Sequence, residues 1–205
     1  MTMQPLHPKI EAMLKRRSIR RYAARPVEQA VLNQILLAGI NAPSAHDSRP
    51  WKVAAVTSPA GKQRLTAALS SRFQKDMEAA GFSPQEVERR LSRSRSIFAS
   101  APVLVVLFAR QSLPDNPLAK TKKTEELLTV QSVALAAGQM LLAASHLGLA
   151  GCWFAAPLFC PGEVCAACEL DETLWAPQCL LTLGYPAEQP KEKAPPQLED
   201  SVIWL

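Results

Sequence analysis

One stretch constrains this chain more than any other: from Leu127 to Gly162 no residue carries a formal charge. The run is long enough to cross a bilayer. Gln131, Gln139, Ser145 and His146 lie inside it, Gly148 and Gly151 break it, and its bulk is Ala as much as Leu. Those residues predict a buried central helix over about 124–147, stopped at Gly148 and followed by a core strand, with no membrane span. A chain of 205 residues with 48% hydrophobic and 20% charged content can bury such a helix without metal or disulfide staples. That composition excludes a disordered chain and predicts about one domain.

The remaining pattern is mixed. Ile10, Met13 and Leu14 make a helical stripe over about 9–17, and Val31, Leu32, Ile35 and Leu36 make another over about 28–40. Helices are expected at about 59–80, 84–98 and 161–168, with Ser83 capping the second and Pro84 at its first position. WKVAAV at 51–56 and the unbroken apolar run PVLVVLF at 102–108 read as strands, the latter buried on both faces. Short strands are expected at 152–154 and 179–183. The polar stretch 110–123 is a loop. The Pro-rich segment 186–196 is an extended arm, with a further strand expected at 201–204. Strands and helices mix without strict alternation, which points to an α+β fold or a three-layer sandwich.

The net charge of +5 is local. Residues 1–30 hold seven basic residues (Lys9, Lys15, Arg16, Arg17, Arg20, Arg21, Arg25) against Glu11 and Glu28, a surplus equal to that of the whole chain. This argues against a general basic coat for nucleic acid and for one anionic group held near the N-terminus, a short nucleic-acid arm remaining open. MTMQPLHPKIEAMLKRR lacks an apolar core and a cleavage site, so no export and a cytoplasmic location are expected. Five cysteines, an odd number, argue against a disulfide framework. Cys160, Cys165 and Cys168, with Cys179 later, match a plant-type iron–sulfur spacing. Pro161 instead opens a helix that puts Cys165 and Cys168 one turn apart, so they read as small buried residues and no metal is expected.

Four pieces carry chemistry. Arg16-Arg17-Ser18-Ile19-Arg20-Arg21-Tyr22, at the end of the first helix, offers guanidinium forks matched to phosphate oxygens, or else a solvated helix end favoured by the macrodipole. Ala42-Pro43-Ser44-Ala45-His46-Asp47-Ser48-Arg49-Pro50-Trp51 joins a helix to a strand with small residues and hydrogen-bonding side chains. It suits a flat heterocycle or is a plain connector. Gly148-Leu149-Ala150-Gly151-Cys152-Trp153-Phe154-Ala155-Ala156-Pro157 lets a ligand approach backbone, or is a helix stop and core strand. Leu183-Gly184-Tyr185-Pro186 leads to Lys191 and Lys193, a solvated tail or a second hand on the same phosphate.

In this order and spacing the four pieces resemble the nitroreductase family of flavin-dependent oxidoreductases over nearly the whole chain. Within it, residues 151–186 and PSAHDSRPW look most like the C-terminal domain of the glutamate ligase that builds the deazaflavin coenzyme. The resemblance implies an α+β, three-layer α-β-α sandwich with a mostly antiparallel central sheet. It implies an FMN-binding domain over 1–185 and a C-terminal arm over 186–205 that reaches over the partner of a homodimer. It implies FMN at the dimer interface, hydride accepted at flavin N5 from NAD(P)H, and electrons passed in ping-pong order to a small acceptor such as a nitroaromatic or quinone. Under the ligase likeness the chain is instead an FMN- or deazaflavin-binding module, or a reductase of deazaflavin metabolism, without general NAD(P)H turnover. The flavin-cleaving branch of the fold carries Asp where this chain has Ser18, which argues against that branch.

The resemblance assigns residues as follows. Arg16, Arg17 and Ser18 would hold the FMN phosphate or the ring's polar edge, with Arg20 near the phosphate or the N1/O2 edge. Pro43, Ser44, Ala45, His46 and Ser48 would line the flavin from the neighbouring subunit's loop. Ala155, Ala156 and Pro157 would pass the dimethylated or N5 side, and Lys191 or Lys193 would complete the phosphate site. No side chain is expected to act as acid, base or nucleophile, because the cofactor carries the chemistry. Asp47 and Arg49 stand where many members have Asn and Gln, and Ala follows the GCW strand where a polar donor is common.

Overall fold

A computed structural model describes residues 6–111, 122–189, 194 and 197–205. Its elements run in the order α1 (Pro8–Lys15), α2 (Gln29–Ile40), β1 (Trp51–Val56), α3 (Pro59–Ala79), α4 (Pro84–Ser100), β2 (Val103–Arg110), α5 (Lys122–His146), β3 (Ala150–Phe154), α6 (Pro161–Ala167) and β4 (Trp175–Gly184). The four strands form one sheet in the order β1-β2-β4-β3, with every neighbouring pair antiparallel. The expected α+β sandwich is what forms.

The sheet is the middle of three layers. On one face Val103, Val105, Leu107, Leu181 and Leu183 pack under α2 and α5. On the other, Leu104, Val106, Phe108 and Leu180 pack under α3, α4 and α6. The apolar run of β2 is thus buried on both sides, as its unbroken pattern predicts, and each fully buried Leu or Val contributes about 1.5–3 kcal/mol. Helix α5 buries Val133, Ala136, Ala137, Met140 and Ala144 at helical spacing against the sheet, and is the core helix the uncharged run predicts. Its small residues let it lie close. Ser58 and Ser83 cap α3 and α4, their hydroxyls accepting from the N–H groups of Gly61 at 3.1 Å and Glu86 at 3.3 Å. Gly148 ends α5 with φ +77°, a conformation that side chains resist, and Leu149 N–H closes the turn onto the Ala144 carbonyl.

Three expectations change. Strand β4 starts at Trp175, four residues before the expected 179. Pro177 obscures it in the sequence, and the structure accommodates that proline, which has no N–H to give, at a break in register where Phe108 faces Pro177 and Leu107 faces Cys179. The strand expected at 201–204 does not form: a 3-10 turn at Leu198–Asp200 leads to an end in which Ile203 and Trp204 are exposed. Helix α1 stops at Lys15, so 16–22 is extended backbone rather than a helix end. Ile19 and Tyr22 face the core there, and two isolated bridges tie the segment down, Ser18 to Gly151 and Tyr22 to Pro186.

Candidate functional site

The extended segment brings Arg16, Arg17, Ser18 and Arg20 along edge strand β3. Ile19 N–H donates to the Gly151 carbonyl at 3.3 Å. Gly151 allows this close approach: a Cβ would lie 3.1 Å from the Thr182 carbonyl and closer still to the Leu141 and Leu183 side chains, which would have to shift. A cleft of about 180 Å³ opens at this seam, lined among others by Lys15, Arg16, Arg17, Ser145, Gly148 and Gly151. Lys15 is paired with Glu11 at 2.6 Å, yet among the described residues the lining includes Lys15, Arg16 and Arg17 and no acidic residue. That suits a phosphate-sized anion, whereas a pocket for a whole drug-sized ligand takes about 300–1,000 Å³. Part of the Arg17 fork also closes α1, Nη1 donating to the carbonyls of Leu14 and Arg16.

Arg20 is exposed, and its guanidinium carbon lies 5.8 Å from the centroid of the Phe154 ring. Phe154 is braced edge-on against Phe98 with centroids 5.1 Å apart. The buried Cys152 lies beneath, within reach of the Ser18 and Arg20 side chains; burial pushes its thiol up, against the pull of Arg20, Ser18 and Arg16. Ala155, Ala156 and Pro157 follow directly at the end of β3, with Ala155 exposed and Pro157 buried. The structure therefore gathers the first and third motifs on one sheet edge.

The second motif lies elsewhere. Pro43 and Ser48 are exposed, Ser44 and Ala45 half-buried. His46, Asp47 and Arg49 adopt left-handed φ of 55°, 48° and 45°, which costs about 1–2 kcal/mol per residue. Local bonds hold this shape: Ser44 Oγ accepts from Arg49 N–H at 3.0 Å, Ser48 Oγ donates to the Ala45 carbonyl at 2.7 Å, and Arg49 Nε pairs with Asp47 at 3.2 Å. Ala45 N–H donates to Ser132 Oγ on α5 at 3.1 Å. The β3 cleft touches α5 at Leu141 and Ser145. At 1.5 Å per residue these anchors lie about 14–20 Å apart along the helix. The loop and the β3 cleft thus meet the same helix at separate places.

The fourth motif joins only in part. Tyr185 O–H donates to Glu28 at 2.6 Å and carries Arg25 over its ring at 3.8 Å, while Pro186 bridges to Tyr22 and lines the cleft. Lys191 and Lys193 lie outside the described residues. Three of the cysteines belong to one helix, Cys160 and Cys168 capping α6 and Cys165 within it, while Cys179 lies in β4. Burial pushes the thiols of Cys160 and Cys168 up to about 11 and that of Cys179 to about 12. A separate groove of about 630 Å³ runs between α3 and α4 past Lys62, Ser70 and Arg95, and none of the residues singled out in the sequence lines it. Sequence reasoning missed Cys152, Phe154, Tyr22, Ser132 and Thr182 as parts of the site. Of these, Tyr22, Cys152 and Phe154 stood inside a motif, and Ser132 and Thr182 did not.

The fold is a three-layer α-β-α sandwich with a cationic seam on its edge strand and a strained loop on its central helix. The profile of the nitroreductase family matches residues 13–185, and the chain belongs to that family. An NADH dehydrogenase of Thermus thermophilus is 31% identical, the match covering 94% of each chain. A Desulfovibrio desulfuricans protein described as a nitroreductase, crystallised in complex with FMN, superposes with a TM-score of 0.73 at 23% identity over 98% of this chain and 99% of that one. A BluB-like flavoprotein of Clostridium difficile gives 0.77 at 19% identity over 97% and 99%. The two superpositions establish the fold.

Proposed function

We propose that this chain is an FMN-dependent NAD(P)H oxidoreductase that works as a homodimer, each flavin held between the β3 seam of one subunit and the 43–49 loop of the other. The carrying observation is the separation of those half-sites along α5, with a cleft at the seam too small for a mononucleotide. Two copies related by a two-fold axis offer each seam a loop. An unpartnered apolar face supports this pairing: Leu127 and Leu135 on α5, Leu37 on α2, and Ile10, Met13 and Leu14 on α1 are all exposed in the single chain. The exposed end at 202–205 fits an arm lying on the partner.

FMN, when bound, supplies a ring that takes a hydride from a nicotinamide and passes electrons to an acceptor. The chain's own part is binding and charge. Arg16 and Arg17 with the backbone near Gly148 and Gly151 hold the phosphate, and Lys191 and Lys193 are proposed to assist. Arg20, steadied by Phe154, sets a cation beside the polar edge of the ring. The 43–46 loop and Ala155, Ala156 and Pro157 would line its faces. The likeness to the deazaflavin-ligase domain rests on sequence motifs and points to a deazaflavin in the same place, with little NAD(P)H turnover.

The test is the absorption spectrum and mass of the purified protein, followed by NAD(P)H oxidation with a quinone or nitroaromatic acceptor. A flavin band, a dimer and turnover are expected. A stable monomer that takes up no FMN would overturn the reading. A flavin-loaded dimer that oxidises neither nicotinamide favours the binding module.

A further inference from the structure

Among the described residues the buried polar side chains include Ser70, Thr129, Ser132 and Thr182, and Thr182 meets a buried tyrosine hydroxyl. Tyr22 and Thr182 are buried polar side chains facing each other between the 16–22 segment and the central strand β4. Tyr22 Oη lies 2.7 Å from the Ile19 carbonyl, 2.5 Å from Thr182 Oγ1 and 3.3 Å from the Thr182 carbonyl. Each hydroxyl has one proton to give. The shortest consistent chain therefore runs from Thr182 O–H to Tyr22 Oη, and from Tyr22 O–H to the Ile19 carbonyl. Buried polar groups that are fully paired rigidify what they join, and half-paired ones are costly.

The geometry gives that chain a direction. The carbonyl it grips belongs to the peptide joining Ile19 to Arg20, so the hydroxyl fixes the plane from which Arg20 departs. Bonds on either side hold the rest of the segment: Ile19 N–H on Gly151, Ala23 N–H on the Tyr185 carbonyl, and Ala187 N–H on the Arg21 carbonyl. The Tyr22 ring has a prepared seat, because a Cβ on Gly184 would lie 2.9 Å from Tyr22 Cδ1. Arg20 and Ser18 meanwhile stay exposed and turn their side chains toward Cys152.

We infer that Tyr22 and Thr182 are positioning residues, a buried strut that sets Arg20 and Ser18 against the flavin and so tunes its affinity and potential. This rests on the functional reading above.

The test uses the full-length protein with FMN and riboflavin, measuring dissociation constants, midpoint potential and melting temperature. Tyr22→Phe removes the hydroxyl and keeps the ring. Thr182→Val removes its partner, and Thr182→Ser restores it. FMN affinity is expected to fall about 3- to 10-fold in Tyr22→Phe and in Thr182→Val, the span of one hydrogen bond, and to return in Thr182→Ser. The midpoint potential should move in the same direction as in Arg20→Ala. Adding Tyr22→Phe to Arg20→Ala should cost less than the two changes do separately, because both act on one contact. Should Tyr22→Phe fail to fold, the Thr182 pair carries the same comparison. Variants that melt earlier but keep wild-type affinity and potential overturn the strut and leave the flavin reading standing. Wild-type protein that takes up no FMN overturns that reading, and the strut with it.

Discussion

The Ser132 hydroxyl, buried on α5, accepts the Ala45 backbone N–H at 3.1 Å and donates to the Leu128 carbonyl at 2.7 Å, so one side chain moors a strained loop to the core helix. Ser132→Ala leaves the Ala45 N–H without that partner, at a cost of about 1 kcal/mol or more. Three residues with left-handed φ follow that anchor in the chain. Amide hydrogen exchange at 45–49 should therefore quicken, and FMN affinity should weaken with little change elsewhere. Unchanged exchange in the loop would show that the local Ser44 and Ser48 bonds suffice.

Glu28 gives the protein a pH signature. The Tyr185 hydroxyl first, then the Arg25 guanidinium, hold its carboxyl down to about 2 from an ordinary 4.5. A depressed folded value favours the ionised, folded form. Its contribution is complete above about 4.5 and disappears as pH falls toward 2. The pair is exposed, so the effect is modest. Melting temperature followed from pH 5 to pH 2.5, round figures on the order of that window, should fall less steeply in Glu28→Gln than in the wild type. Parallel curves would mean the contact adds nothing in solution.

The elements that were legible are those whose cause is local. The uncharged run becomes α5 and the apolar run becomes β2, because burial on all sides leaves a continuous signature. Ser83-Pro84 marks a helix start through chemistry within four residues. The beginning of β4 was hidden by Pro177, which only a register break opposite Phe108 makes acceptable. The arginine motif was read as a helix end, because nothing local says that Ile19 and Tyr22 find a core formed by strands far along the chain. Tyr22 and Thr182 are 160 positions apart, and no spacing rule links them. The site was readable as residue types, and only the family resemblance implied that the 43–48 loop serves a neighbouring subunit; the separation of the two regions was not readable from spacing, because it depends on where along α5 each motif lands.

That division makes assembly testable. Leu135 lies on α5 with 51% of its surface exposed. Leu135→Glu places a charge in the proposed interface, where it has no partner. The variant should elute as a folded monomer by light scattering and lose FMN, since each half-site alone is incomplete. Phe82→Ser, at the turn between α3 and α4, is the matched control and should remain a flavin-loaded dimer. If the Leu135 variant remains a dimer, the interface lies elsewhere; if a monomer retains FMN, the shared site is wrong.

Arg20 separates the flavin site from a solvated basic segment. Its guanidinium is steadied by Phe154 and stands beside Cys152, whereas the neighbouring Arg21 reaches outward to Glu188 at 3.6 Å with 80% of its side chain exposed. Arg20→Ala removes a cation that favours whichever form of the bound ring carries more negative charge. A lower flavin potential, a slower hydride step and an FMN affinity weaker by about 1.5–3 kcal/mol are expected, the worth of one hydrogen bond to a charged group. Arg21→Ala should change none of these, because a surface ion pair contributes little. Stopped-flow reduction and flavin titration of the two variants side by side decide it. If Arg20→Ala and Arg21→Ala match in affinity and in rate, the arginine cluster is surface charge, and the anion-sized cleft beside it holds something other than flavin.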